Sequence, residues 1–440
     1  MSSRRLMKMA WGALGLGLAL VAPACSFGSE SAATILVDYE HDTFATQFNR
    51  YFPDRVRVHP GDTITFRQTW TGEPHTVTLG ALVNDVLEVT KPLIEEYGHL
   101  PDEEIPPKVF EEFFAAEGQL PTAFGDEGPP EGEGPPEEGA GPEGEAAEGA
   151  AGAEEAPDAE GEDESERRLP GTVAQPCVIE QGGEIPEDGG LCEERELPEF
   201  EGTELYFNSG IIPFEGPRGN VFDLKIAEDI EPGAYQFLCS VHGSFQNGTL
   251  EVVSEDESAP SPDEVNQATR EQVNEVVRPL DKLFRDAQDG RLVLGGETHT
   301  GNFSGLTEGF TSGLVNEFVP KRIETSVEEP VTWRMFGPHT ISFDVPEYFP
   351  IVEFLDDGTA RFNEELEPPA GGAPEAPEPE DPSKPMVIDG GTYDGSGFWS
   401  SGLFFADPYV EYTLRFSTPG TYRYACLIHP PMVGTLVVKE

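Results

Sequence analysis

Basic residues are scarce in this 440-residue chain: 27 Lys and Arg face 83 Asp and Glu, a formal net charge of −56. A surface of that sign repels phosphate backbones, and no basic run interleaved with aromatics offsets it, which argues against nucleic acid as a partner. Apolar residues are thin at 37 %, while Gly (49) and Pro (41) are plentiful. Length alone suggests about two to four domains. Composition lowers the folded share, because acidic tracts of low hydrophobicity bury no core. Histidine and cysteine are rarer still, 8 and 5 residues, and no His-x-His pair occurs. With so few ligand-type side chains, the places where they fall together carry weight.

No long apolar run is present either. The N-terminal "AWGALGLGLALVA" is too short to span a bilayer. Preceded by Arg4, Arg5 and Lys8 and closed by small residues, it reads as an export signal over 1–24. "SRR" resembles a twin-arginine n-region, although paired arginines also serve general export. Cys25 follows "APA" directly and resembles the acylated cysteine of a bacterial lipoprotein, which would anchor the mature chain to a membrane. Ala22 stands where a lipobox carries a larger aliphatic residue, and the same "APA" suits ordinary signal-peptidase cleavage. Both routes place the mature protein outside the cytoplasmic membrane, at the cell surface or in the periplasm.

The other four cysteines fall into two classes. Cys177 and Cys192 lie close together in a polar, Gly-rich stretch with no nearby histidine, and a disulfide is the natural reading in an oxidising compartment. Cys239 and Cys426 each end a strand-like run, and each is followed three residues later by a histidine.

Those two cysteines belong to an internal repeat. Residues 206–253 and 398–440 both run aromatic, Ser-Gly, a strand, Pro-Gly, an aromatic-rich strand, Cys-x-x-His, then Gly-Thr-Leu and a valine-rich strand. Their front halves, 33–80 and 301–345, also end alike, in "EPHTVTL" and "GPHTISF". Short alternating segments with turn signals between them argue an all-β sandwich for each copy. The organisation expected is a first unit over 31–254, with an insertion at 82–200, and a second over 291–440, with an insertion at 346–390. Within the first insertion, two short helices are followed by an acidic tract at 125–166 that has no basic residue and is expected to be disordered. Val265, Val273, Val276, Val277, Leu280, Leu283 and Phe284 fall near helical spacing, so 260–290 reads as one amphipathic connecting helix.

A soft thiolate with two imidazoles and a weak axial thioether or amide is the ligand set of a trigonal copper site of the electron-transfer type. The first copy supplies His75, Cys239, His242 and a loop running to Gln246; the second supplies His339, Cys426, His429 and Met432. Met432 precedes Gly434 by two residues, as Gln246 precedes Gly248, so Gln246 occupies the methionine's place in a loop one residue longer. Phe245 is the competing occupant of that place and would leave three ligands. Zinc is the rival metal, but structural zinc normally takes four Cys, His or carboxylate ligands. A Cys239–Cys426 disulfide would take each cysteine from its own histidines. His41, His59, His99 and His299 stand singly and read as surface or structural residues.

On these residues both units resemble cupredoxins, the Greek-key β-sandwich family of plastocyanin and amicyanin. "CLIHPPM" is similar to the short amicyanin-type ligand loop, and a glutamine axial ligand resembles that of the stellacyanins. The resemblance covers both β units, roughly half the chain, and neither the acidic insertion nor the connecting helix. It implies two type 1 copper ions, one per unit, and electron transfer with redox partner proteins the sequence does not name. Copper oxidases and reductases of the family need further histidines for extra copper centres. Leu238, Ser240, Ala425 and Leu427 flank the cysteines here, so an enzyme is not expected. The alternatives are a copper storage or delivery module and, below it, an adhesive or structural β protein. A harder axial oxygen from Gln246 implies a lower potential at the first site, and electron flow from first to second.

Overall fold

The computed structural model describes residues 31–68, 73–98, 105–121, 168–186, 189–212, 220–288, 291–294, 297–306, 313–345, 351–363, 366, 384–403 and 409–440. The expected export signal, Cys25 and the acidic tract 125–166 lie outside the described residues, as does much of the 346–390 insertion.

Alternation of apolar and polar side chains turns one face of each strand inward. Ile35 is buried in Ala33–Val37, Ile64 and Phe66 in Thr63–Gln68, and Val410, Tyr412, Leu414 and Phe416 in Val410–Phe416. The segment "RVRVHPGDTITFRQ" is a corner between two sheets rather than a hairpin. Gly61 takes φ 80, which favours glycine, and the Asp62 carboxylate accepts the His59 N–H at 2.8 Å. Arg55–Val58 then lies in one sheet and Thr63–Gln68 in another.

The sequence repeat is a repeat of strand order. In the first half Arg55–Val58, Gly243–Val252, Gly233–Cys239, Thr78–Leu79 and Tyr206–Asn208 are neighbours in that order, with Cys177–Ile179 at the edge. In the second, Arg322–Ser326, Val433–Lys439, Gly420–Ala425, Ser342–Phe343 and Trp399–Ser400 repeat it. The facing sheets correspond too: Val221–Lys225, Thr63–Gln68, Ala33–Val37 and Tyr51–Phe52 against Val410–Phe416, Val331–Met335, Asn302–Leu306 and Gly313–Val319, the last set continued by Met386–Tyr393 beyond Val410–Phe416. Each sheet pair encloses its own core. One joins Ile35, Phe66 and Leu224 to Val56, Phe237 and Leu250; the other joins Trp333, Tyr412 and Leu414 to Phe343, Tyr424 and Leu436.

The two halves interlock. Thr46–Phe48, from the first front half, pairs antiparallel with Gly313–Val319 and extends the second half's sheet, with Phe48 opposite Gly313. A side chain at residue 313 would collide with the Phe48 ring, so glycine permits the contact. The helix expected over 260–290 spans Pro262–Gln288. Ser261 and Glu264 cap it reciprocally: the Ser261 N–H donates to the Glu264 carboxylate at 2.9 Å, and the Glu264 N–H to the Ser261 hydroxyl at 3.4 Å. Its buried Val273, Val277, Leu280 and Leu283 form a core with Phe44, Phe48 and Phe52 of the first half and Phe303, Val315 and Val319 of the second. The helix is thus a shared packing element, and Ser31–Glu440 forms one compact unit.

In the first insertion, helices Ala81–Tyr97 and Pro107–Glu117 are present, and Cys177 and Cys192 are joined as a disulfide with Cα atoms 5.4 Å apart. Val352–Phe354 and Ala360–Phe362 form a hairpin, which adds Arg168–Leu169 as a third strand.

Candidate metal centres

Each half brings one histidine from a strand entrance to a cysteine and a histidine from a distant loop. His75, Cys239 and His242 form one cluster, and His339, Cys426 and His429 the other, with ligand atoms within 4.8 Å of one another in each. Cys239 Sγ lies 4.0 Å from His75 Nδ1 and 3.5 Å from His242 Nδ1. Cys426 Sγ lies 3.5 Å from His429 Nδ1, and the two Nδ1 atoms of His339 and His429 face each other at 3.1 Å.

The repeated Pro-His-Thr and Ser-Gly motifs position these clusters. The Thr76 N–H donates to Cys239 Sγ at 3.3 Å, and its hydroxyl accepts the Ser240 N–H at 2.8 Å. Thr340 repeats both contacts, to Cys426 Sγ at 3.4 Å and from the Leu427 N–H at 2.9 Å. The Ser209 hydroxyl accepts the Val77 N–H at 2.8 Å, and Ser401 accepts that of Ile341 at 2.9 Å. Sequence reading noticed these motifs as signs of duplication and missed their work, which is to hold the histidine strand against the sulfur.

The axial candidates sit differently. Gln246 is fully buried, with Oε1 3.0 Å from His75 Nδ1 and 2.8 Å from His242 Nδ1. Phe245 is 44 % exposed and packs on Phe113, with ring centroids 5.3 Å apart. Met432 is fully buried in the second core beside Cys426; its N–H donates to the His429 carbonyl at 2.8 Å, and its carbonyl accepts the Cys426 N–H at 3.1 Å, closing a tight loop. The first loop is gripped from outside by Glu117, whose carboxylate accepts the Ser244 N–H at 2.9 Å and also its hydroxyl.

The outer ring edges differ between clusters. His242 Nε2 donates to Glu73 at 2.9 Å, and His429 Nε2 donates to Gln47 Oε1 at 2.8 Å. His75 Nε2 lies 3.6 Å from the buried Asp38 carboxylate. His339 Nε2 meets no hydrogen-bond partner among the described residues and abuts Gly305 instead. Glu73, Gln47, Asp38 and Gly305 went unnoticed in the sequence, where each is an isolated residue distant from its histidine or, for Glu73, one member of a common dipeptide.

Electrostatics follow from this packing. Burial raises the Cys239 thiol, but the charge of His242 and hydrogen bonds with His242 and His75 reverse that and hold it well below the usual range. Cys426 is lowered likewise, burial being overcome by His429 and His339. Burial lowers His75 and His429, yet Asp38 and Cys239 lift the first, and Cys426 and Glu73 the second, each to about 9. His242 is raised well above its usual value against burial, by Cys239 and Glu73. His339 is lowered, because burial and the charge of His429 outweigh the raising influence of Cys426 and of the more distant Glu73. The donor sets fit a soft cation. With the Nε2 atoms of His242 and His429 donating outward, their Nδ1 lone pairs point at a thiolate and, in the first cluster, at an amide oxygen. Acceptors so converged require a proton or a metal between them.

His41 and His59 lie outside both clusters, packed on Phe44 and bonded at 3.0 Å to the Glu257 carbonyl respectively. His299 lies on the strand Glu297–Thr300, and His99 falls outside the described residues.

No protein-family model and no curated protein matches the chain. Among solved structures it is similar over limited regions to a Cu(I) form of an amicyanin mutant, 17 % identical over 27 % of this chain and 70 % of that one, TM-score 0.15. Oxidized plastocyanin from Dryopteris crassirhizoma is 22 % identical over 28 % of this chain and 89 % of that one, also at TM-score 0.15. Amicyanin from Paracoccus versutus is 14 % identical over 28 % and 73 %, at 0.13. Likenesses this slight carry no argument, and only the clusters themselves speak to function.

Proposed function

We propose that this is an exported electron-transfer protein built from two Greek-key cupredoxin sandwiches, each holding one type 1 copper. His75, Cys239, His242 and Gln246 would hold the first ion, and His339, Cys426, His429 and Met432 the second. The observation that carries the reading is the twice-repeated convergence of two Nδ1 atoms on a buried sulfur that already accepts a backbone N–H. Bound copper would supply a one-electron couple.

The chain's part is to hold the donors still and dry. Thr76 and Thr340 orient the sulfurs, Glu73 and Gln47 orient the outer histidines, and the surrounding cores exclude water, so little rearrangement accompanies a change of charge. Burial also favours a carrier over a storage or delivery module: Cys239, His75, His339 and His429 are fully buried and Cys426 is 2 % exposed, which leaves the partly exposed His242 as the one Cys or His ligand an incoming acceptor would reach. No catalytic copper is expected, because four of the eight histidines are committed to these two sites and no His-x-His pair occurs in the sequence. Cys25 would tether the mature chain to a membrane, facing redox partner proteins.

The test is copper titration of the mature protein, followed by visible absorption and electron paramagnetic resonance. Two intense thiolate-to-copper bands are expected, one lost in Cys239→Ser and the other in Cys426→Ser. A colourless protein retaining zinc overturns the reading. Redox titration then tests the order: the amide oxygen of Gln246 favours Cu(II), so the first site should have the lower potential. Equal potentials, or a higher first one, defeat that ordering.

A further inference from the structure

The two clusters turn their loop histidines toward each other, and one buried carboxylate lies between them. Glu73 is 8 % exposed and Gln47 2 %. His242 Nε2–H donates to Glu73 Oε2 at 2.9 Å, and the same oxygen accepts the Gln47 side-chain N–H at 2.5 Å. Gln47 Oε1 in turn accepts His429 Nε2–H at 2.8 Å. A shorter route runs alongside, since Glu73 Oε1 lies 3.6 Å from His429 Nε2, a contact too long for a hydrogen bond. Every donor and acceptor along the chain of three hydrogen bonds is correctly matched, with each imidazole giving its only outward proton.

We propose that Glu73 and Gln47 form the electronic bridge between the two metal centres, making them one coupled two-electron unit. This rests on the two copper sites proposed for the clusters. The path from ring to ring crosses only the two imidazoles, three hydrogen bonds, one carboxylate and one amide, with no break across solvent.

Both bridging residues are held by the interlock of the halves. Gln47 sits on Thr46–Phe48, the strand that the first half adds to the second half's sheet, within 3.5 Å of the Asn316 amide. The neighbouring Ala45 N–H donates to Glu317 at 3.1 Å. Glu73 is fixed from behind by the Gln68 side chain, which donates to its carbonyl at 2.7 Å. The second copy has Gly337 where the first has Glu73. A single carboxylate therefore serves both centres, as expected of a bridge and not of two independent sites.

Two measurements test this. In the metal-free chain labelled with nitrogen-15, the Nε2–H protons of His242 and His429 should exchange slowly with water, and Gln47→Leu should release that of His429. Fast exchange of both in the unmodified chain overturns the bridge without any variant or any copper. In the copper-loaded protein, re-equilibration between the two centres after pulse reduction should slow by about 10- to 100-fold in Glu73→Leu and in Gln47→Leu, the scale on which such outer partners act. An unchanged rate in either variant that retains both thiolate-to-copper bands also overturns it. Failure of the unmodified protein to show any thiolate-to-copper band refutes the proposed function instead, and the exchange measurement still judges the hydrogen bonds.

Discussion

Gly305→Ala is the sharpest single perturbation of the second centre. Gly305 lies on Asn302–Leu306 at φ 73, a conformation that costs a non-glycine residue about 1–2 kcal/mol. A Cβ there would overlap His339 Nε2 and fall 2.6 Å from the Phe336 carbonyl oxygen. Neither neighbour can yield easily: His339 is fully buried with Nδ1 3.1 Å from His429 Nδ1, and Phe336 N–H is bonded to the Ser304 carbonyl at 2.9 Å. Overpacking of a filled core adds about 1–3 kcal/mol. The expected loss is therefore about 2–5 kcal/mol of stability, read as a lowered urea midpoint of the metal-free chain. The loss should be local in its spectral effect. The second thiolate-to-copper band should weaken or shift, because His339 is driven from Cys426, while the first band, whose ligands lie in the other core, persists. A stability change below about 0.5 kcal/mol, the scale of an ordinary surface substitution, together with two unaltered bands would refute the packing argument.

Copper loading should release protons. His75 and His429 are raised to about 9 in the metal-free chain, so both are protonated at neutral pH and must lose that proton to coordinate. Affinity should accordingly rise with pH up to about 9 and fall on acidification; calorimetry in buffers of different ionisation enthalpy reads the proton count, and zero release contradicts the assignment. Ser261→Ala removes the hydroxyl that accepts the Glu264 N–H at the start of Pro262–Gln288, leaving the backbone half of the cap, and should cost about 1 kcal/mol by denaturant melting, with both copper bands unaffected. Reducing Cys177–Cys192 opens a loop of sequence separation 15 and should lower stability by about 3 kcal/mol, seen as a melting shift with and without reductant.

Much of the fold was readable because the chain states it twice. Alternating burial follows from side chains of strands pointing to opposite faces, and it is plain in "VEYTLRF" and "ATILV". The connecting helix was legible from its 3.6-residue spacing, and its bounds differ by only a residue or two from those expected, while the Ser261 and Glu264 cap came from the structure. The interlock was not legible. "TQF" is three residues with no pattern of its own, and only the presence of the second half's sheet edge decides that it pairs there. The same holds for the helix, whose spacing announces a buried face without saying that two halves share it.

The candidate site divides along the same line. Sequence by itself determined the candidate ligand types, their duplication and the difference at Gln246 and Met432, because a loop of fixed length between Cys and the following strand leaves few places for a side chain to go. It also set Glu73 against Gly337 without giving that difference a meaning. Tertiary structure alone decided that Gln246 faces inward and Phe245 outward, and that Asp38 backs one histidine while Gly305 backs its counterpart. It alone brought His242 and His429 to opposite ends of one hydrogen-bonded chain through Glu73 and Gln47. The physical reason is range: ligand spacing is a local property of a loop, whereas the surroundings of a buried imidazole are set by whichever distant strands pack against it.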